Sequence, residues 1–132
     1  MFNRDCRNKG GSMVELMLLL PVLVLILSGI VDLGRVYHDY IVISNASREG
    51  ARYASHFPNN ETGIKTTARD EAVSTGVPIS TSLISVVGLN APSGNPITVT
   101  VRYPFRTILA SIVGVRTITL TAWTQMLVFG YD

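Results

Sequence analysis

Sixteen consecutive residues, Leu16-Met-Leu-Leu-Leu-Pro-Val-Leu-Val-Leu-Ile-Leu-Ser-Gly-Ile-Val31, carry no charge. As a helix this run is about 24 Å long at 1.5 Å per residue. That falls slightly short of the roughly 17–25 residues that cross a bilayer. Met13 and Val14 on one side and Leu33 on the other bring it into range, and the extension encloses Glu15. A carboxylate inside an apolar helix is costly and usually marks function. Charged residues make up 15% of the chain, below the roughly 25% of an ordinary soluble domain, and the deficit lies in this run.

A cleaved secretory signal would end in a small-x-small site, and none follows the run. The pattern instead continues as a helix. Leu33, Val36, Tyr37, Tyr40, Ile41, Ala51, Ala54 and Phe57 recur mostly at three- and four-residue steps, which predicts a buried stripe. Pro58 with Asn59 and Asn60 stops the pattern, so one helix is expected from Ser12 to Phe57. Pro21 interrupts it, at a cost of about 3 kcal/mol in an ordinary helix interior. Two readings of Pro21 stand side by side: tolerated punctuation of a membrane helix, or a bend used in assembly.

The remainder reads as a small α/β unit. Ile64 to Thr75 suits a short helix with Ile64, Ala68 and Ala72 on one face. Strands are expected at Leu83–Val87, at Ile97–Tyr103, and at Val115–Ala122 with continuation to Met126. Ala91 to Pro96 is a turn joining the first two strands, Pro104 is expected to end the second, and Arg106 to Val113 reads as a short returning helix. A three- to four-stranded antiparallel sheet with one apolar face needs a cover. Residues 33–57 of the first helix are the long candidate for it. The expected fold class is therefore α+β, a long N-terminal helix whose second half carries a small C-terminal sheet.

Charge and chemistry narrow the function. The net charge is +2, and no basic stripe alternates with aromatics, so no nucleic-acid partner is expected. Arg4, Arg7 and Lys9 outweigh Asp5 just ahead of the apolar run, which favours a cytoplasmic N-terminus. Cys6 is the one cysteine, read as an incidental thiol, so an internal disulfide is impossible. No HExxH, GxSxG, P-loop or dinucleotide fingerprint is present. His38 and His56 read as surface residues of the long helix. No catalytic residue, cofactor or metal site is expected, and the chain is read as a non-enzyme. Asn45-Ala-Ser and Asn60-Glu-Thr match the glycosylation acceptor pattern, with Asn60 the more accessible in a loop.

The segment Lys9-Gly10-Gly11-Ser12-Met13-Val14-Glu15 places a basic leader and a glycine before a glutamate that opens an apolar helix. It resembles prepilins cut on the cytoplasmic side after a glycine. The similarity is closest to TadE-like minor pilins, which look like G-x-x-x-E, an apolar run with a proline, an acidic-Leu-Gly-Arg stretch and an Ala/Ser-Arg-Glu-Gly-Ala-Arg stretch. Here these are Gly11 to Glu15, Pro21, Asp32-Leu33-Gly34-Arg35, and Ala46-Ser47-Arg48-Glu49-Gly50-Ala51-Arg52. Leu16 departs from the family, in which an aromatic often follows the glutamate.

The resemblance implies cleavage between Gly10 and Gly11 by a prepilin peptidase, with Glu15 becoming the fifth residue of the mature chain. It implies a division into a leader (1–10), a transmembrane and assembly half-helix (11–33) and an extracytoplasmic head (34–132), first held in the bacterial inner membrane as a single pass. The implied partners are other pilin subunits, the peptidase, an inner-membrane assembly platform and membrane lipid, with a cell-surface filament as the destination. The alternatives are the main filament subunit and a bitopic membrane-anchored binding protein. Independently of the family, Glu15 either pairs with a new amino group, its own or a neighbour's, or reaches to the headgroups. The small residues around Gly50 suit a helix face packed under the chain's own sheet, while Arg48, Glu49 and Arg52 offer interhelical ion pairs as the alternative.

Overall fold

The structure, a computed structural model, describes residues 9–108, 114 and 117–129. Helix α1 spans Lys9–His56 over 48 residues, about 72 Å at 1.5 Å per residue, and runs unbroken through Pro21. Its end lies one residue from the expected one. The Phe57 N–H still donates to the Tyr53 carbonyl, and Pro58 then turns the chain. Helix α2 spans Glu61–Ser74, three residues earlier than the apolar pattern alone predicts. The Asn60 side chain accounts for the early start, because its oxygen accepts from the Gly63 N–H as an N-cap.

A short turn of 3-10 helix at Thr81–Leu83 leads into strand β1, Ile84–Val87, so Leu83 lies outside the strand expected to contain it. Strand β2 spans Pro96–Phe105 and β3 spans Ile118–Leu127. Among the described residues they form one three-stranded antiparallel sheet in the order β1-β2-β3. β2 and β3 pair from Pro96↔Leu127 to Phe105↔Ile118, whereas β1 reaches only from Val87↔Thr98 to Ile84↔Val101. Pro104 therefore does not end β2 as expected. Beyond Val101 the strand has no paired strand on its β1 side among the described residues, and a proline is tolerated there as on an edge. β3 begins at Ile118 rather than Val115, and the returning helix expected at 106–113 falls largely outside the described residues.

The core lies between this sheet and the two helices. Ile97, Val99, Val101 and Phe105 of β2 are buried against α1, and Ile64, Ala68 and Ala72 of α2 fill the space beside it, as their spacing predicts. The cover is thus shared: α1 lies over β2 and β3, with α2 alongside facing β1.

The stripe that α1 buries coincides with the expected one at Ala51 and Ala54 and differs elsewhere. Leu33, Tyr37, Tyr40, Ile41 and Phe57 are exposed. The buried positions are Asp32, Val42, Ile43, Ala46, Ser47, Gly50, Ala51, Ala54 and Ser55. Apart from Val42 and Ile43, this face is built of small residues, which permit close backbone approach, so the exposed large apolar residues mark the wrong side. Buried hydroxyls are satisfied locally: Ser47 Oγ donates to the Ser44 carbonyl at 2.8 Å and lies 2.8 Å from Thr124 Oγ1 on β3.

Gly50 sits where the three layers meet. A Cβ placed there would stand 2.9 Å from the Ala68 Cβ and 3.2 Å from the Val99 Cγ1. The Ala68 methyl has no rotamer to escape into, so Gly50→Ala must push α1 and α2 apart. Overpacking costs about 1–3 kcal/mol and outweighs the gain of roughly 1 kcal/mol in helix propensity. Gly50→Ala is therefore expected to lower the melting temperature measured by circular dichroism. Gly34→Ala, with nothing within 4 Å of the new methyl, is expected to leave it unchanged or raise it.

Candidate functional site

From Gly11 to Leu27 every residue of α1 is exposed, and an 18-residue window within this helix has mean hydropathy 2.7 with none of it buried. The core helix of a soluble domain would hide such a stretch; here it projects from the head without a covering element. Ser28, the polar side chain within the run, donates to the Leu25 carbonyl at 3.0 Å and so adds no free hydroxyl. Glu15 stands exposed one turn after Gly11 and makes no ion pair among the described residues. Gly10 and Gly11 lie in the first turn of α1, with nothing within 4 Å of a Cβ on Gly11.

The next group joins the projecting helix to the head. Asp32 is only 4% exposed. Its Oδ1 accepts from the Ile108 backbone N–H at 3.0 Å and from Arg35 Nη1 at 3.3 Å. The Arg35 guanidinium in turn lies over the Phe105 ring, 5.2 Å from its centre. One helical turn thus grips the end of β2 and the chain beyond it. Gly34, between them, faces open space.

Farther along α1, Arg52 donates two hydrogen bonds to Glu49, at 3.1 Å from Nε and 2.6 Å from Nη2. The Glu49 hydrogen bond, then its charge, raises the already high pKa of Arg52. This pair lies within one helix and at the surface, where such contacts contribute little to stability. Arg48 is exposed beside Trp123 and Gln125 of β3 and has no ion-pair partner among the described residues. Asn60 is exposed, its oxygen capping α2 and its nitrogen donating to the Tyr53 hydroxyl at 3.1 Å. His38 and His56 are both at the surface, the first 3.2 Å from Asp39. Among the described residues no three His, Cys, Asp or Glu side chains stand together as a metal site.

The structure therefore gathers Asp32 and Arg35 at one locus, leaves Glu49 and Arg52 to each other, and leaves Glu15 and Arg48 without ion-pair partners among the described residues. Sequence reasoning misses the reach of Asp32 to Ile108, 76 positions away. A carboxylate at the border of a charge-free run was the available signal, since an acid there needs donors.

Residues 10–52 match the family model of TadE-like proteins. The matched span opens at Gly10 and closes at Arg52, and so contains Glu15, Pro21, Asp32 to Arg35 and Arg48 to Arg52. All of it lies on α1, while α2 and the sheet lie outside it. Comparison with curated proteins and with solved structures gives no match. The match covers about a third of the chain, and the exposed apolar half of α1 suits membrane anchoring.

The Asp32 contacts give a direct test. Asp32→Ala strips acceptors from a buried position and is expected to cost the head about 1–3 kcal/mol. Asp32→Asn keeps one carbonyl oxygen for the Ile108 N–H and should cost less. Thermal denaturation of the three proteins side by side measures the order; equal melting temperatures for wild type and Asp32→Ala would remove the locus from the account of stability.

Proposed function

We propose that this chain is a TadE-like minor pilin or pseudopilin, cut between Gly10 and Gly11 by a prepilin peptidase and built into a tight-adherence pilus. The observation that carries the reading is Glu15: a carboxylate without an ion-pair partner among the described residues, on an exposed apolar helix, one turn beyond the glycine pair and within the matched span. Cleavage after Gly10 creates an α-amino group at Gly11. Positions four apart share a helix face, so this cation stands beside Glu15 of its own chain or of the next subunit. In lipid an unmet charge costs several kcal/mol. Pairing with a neighbour converts that cost into a drive for docking.

On this reading the basic residues Arg4, Arg7 and Lys9 hold the leader in the cytoplasm, residues 11–33 occupy the inner membrane, and the head stands outside it. Other pilin subunits and a membrane assembly platform are the partners. Gly34, where a Cβ would meet nothing within 4 Å, and Arg48, without an ion-pair partner among the described residues, suit contacts with neighbouring subunits.

Processing and assembly separate the parts of this proposal. Intact mass of membrane-extracted protein is expected to show loss of residues 1–10, and Gly10→Val to abolish that loss by filling the space at the scissile bond. Glu15→Ala is expected to be cut normally yet to be depleted at least severalfold from sheared filaments relative to the inner membrane. Glu15→Gln should fall between the two. Wild-type entry of Glu15→Ala into filaments would reduce Glu15 to an interfacial anchor.

The division at residue 33 has its own test. A fragment starting at Asp32 keeps the Asp32 locus, the covering half of α1, α2 and the sheet, and loses the charge-free run. It is expected to remain monomeric and folded without detergent in size-exclusion chromatography. A need for detergent would place the membrane boundary farther into the head.

A further inference from the structure

At the end of the head farthest from the apolar half-helix, three segments converge: the turn after α1, the loop between β1 and β2, and the end of β3. Asp32 and His56 mark the two ends of the head along α1, about 36 Å apart at 1.5 Å per residue. Backbone hydrogen bonds fasten the three segments together. The Asn90 N–H donates to the Pro58 carbonyl at 3.2 Å and the Phe129 N–H to the Ser55 carbonyl at 2.9 Å. Gly94 N–H meets the Val128 carbonyl, and Val128 N–H meets the Asn95 carbonyl, each at 2.9 Å. They enclose an open cavity of about 820 Å³, within the range of small-molecule sites.

The lining has a definite chemistry. Phe57 and Phe129 are 51% and 64% exposed, and the His56 ring stacks on Phe129 with centroids 6.2 Å apart. Asn59, Asn90 and Ser93 stand among these rings. The side-chain amides of Asn59 and Asn90 make no hydrogen bond among the described residues, unlike that of Asn60 on the rim, which caps α2. Asn90 holds φ at 58°, a left-handed conformation unusual outside glycine. Among the described residues the lining includes no Asp, Glu, Lys or Arg.

We propose that this tip cavity binds a neutral pyranose sugar. The apolar face of a pyranose, with its row of C–H bonds, fits an exposed aromatic ring, while its hydroxyls both donate and accept. Asparagine amides likewise offer both functions without charge. Among the described lining residues an anion would find no Lys or Arg, only the His56 ring, and a cation no Asp or Glu, while a purely apolar ligand would desolvate the amides without return. The backbone clamps hold the rings and amides in place before binding, which lowers the ordering cost. The same chemistry is offered by the N-acetylhexosamines of a cell wall and by neutral hexoses on an encountered surface.

The test uses the full chain in phosphatidylcholine nanodiscs, free of sugar-headed detergent, with saturation-transfer NMR and titration. The probes are methyl glucoside, methyl galactoside, N-acetylglucosamine and chitobiose, with glucuronic acid as the charged comparison. At least one neutral sugar is expected to bind, with transfer strongest at its ring C–H protons, and glucuronic acid more weakly. Preference for the acetylated pair assigns the site to cell-wall sugar; preference for the hexosides assigns it to a foreign surface. Phe129→Ala removes an exposed ring, and Asn90→Gly removes the amide while accepting the same backbone angle. Each should weaken binding about tenfold while circular dichroism stays unchanged. No transfer from any neutral sugar, affinity unchanged in both variants, or tighter binding of glucuronic acid would overturn the proposal.

Discussion

One 48-residue helix has to satisfy two environments, and the rest of the structure depends on how it changes from one to the other. From Leu16 to Val31 it carries no charge on any side, as suits a helix in hydrocarbon. Its second half presents a face of alanine, serine and glycine, against which β2, β3 and α2 close to backbone distance. Asp32 stands at the changeover. Its carboxylate draws in the Ile108 N–H and Arg35, and Arg35 lies on Phe105, so the head is fastened to the helix at the turn where the apolar run ends. Without that fastening, the long pairing of β2 with β3 would still form a hairpin, but its near end would have no fixed position along the helix.

Much of the fold was legible because its elements announce themselves by period. Strict alternation placed β2 and most of β3, and the Ile64, Ala68, Ala72 spacing gave the buried face of α2. The errors share a cause. Leu33, Tyr37, Tyr40 and Ile41 are large apolar side chains of α1 that a pattern read by hydrophobicity turns inward, yet they are exposed, while Val42 and Ile43 beside them are buried. The face that packs is instead selected by smallness, with Gly50 between Ala68 and Val99. Hydropathy weights alanine and glycine too lightly to reveal it. Pro104 misleads in a similar way, because the tolerance of β2 for it depends on β1 being short, a property of the pairing rather than of the local residues. The TadE-like resemblance was legible on α1, where residues 10–52 match, whereas the tip cavity was not. Its walls come from three segments, and no stretch of sequence contains more than part of it.

The motif residues on α1 divide by what the chain itself requires of them. Asp32, Arg35 and Gly50 have internal work: two join the helix to the head, and the third permits its closest approach. Glu49 and Arg52 satisfy each other across one turn. Glu15, Gly34 and Arg48 have no such use among the described residues, since the first and last lack an ionic partner there and a Cβ on the glycine would meet nothing within 4 Å. A fold stabilised only from within would gain from replacing Gly34 with a better helix former, as about 1 kcal/mol separates glycine from alanine. It would gain likewise from removing a carboxylate from an apolar helix. The three positions share one long helix but lie in its apolar half, at its changeover and beside β3 respectively. Contacts made by all three would therefore run along the length of the rod, which is the direction in which helical subunits overlap when they pack side by side.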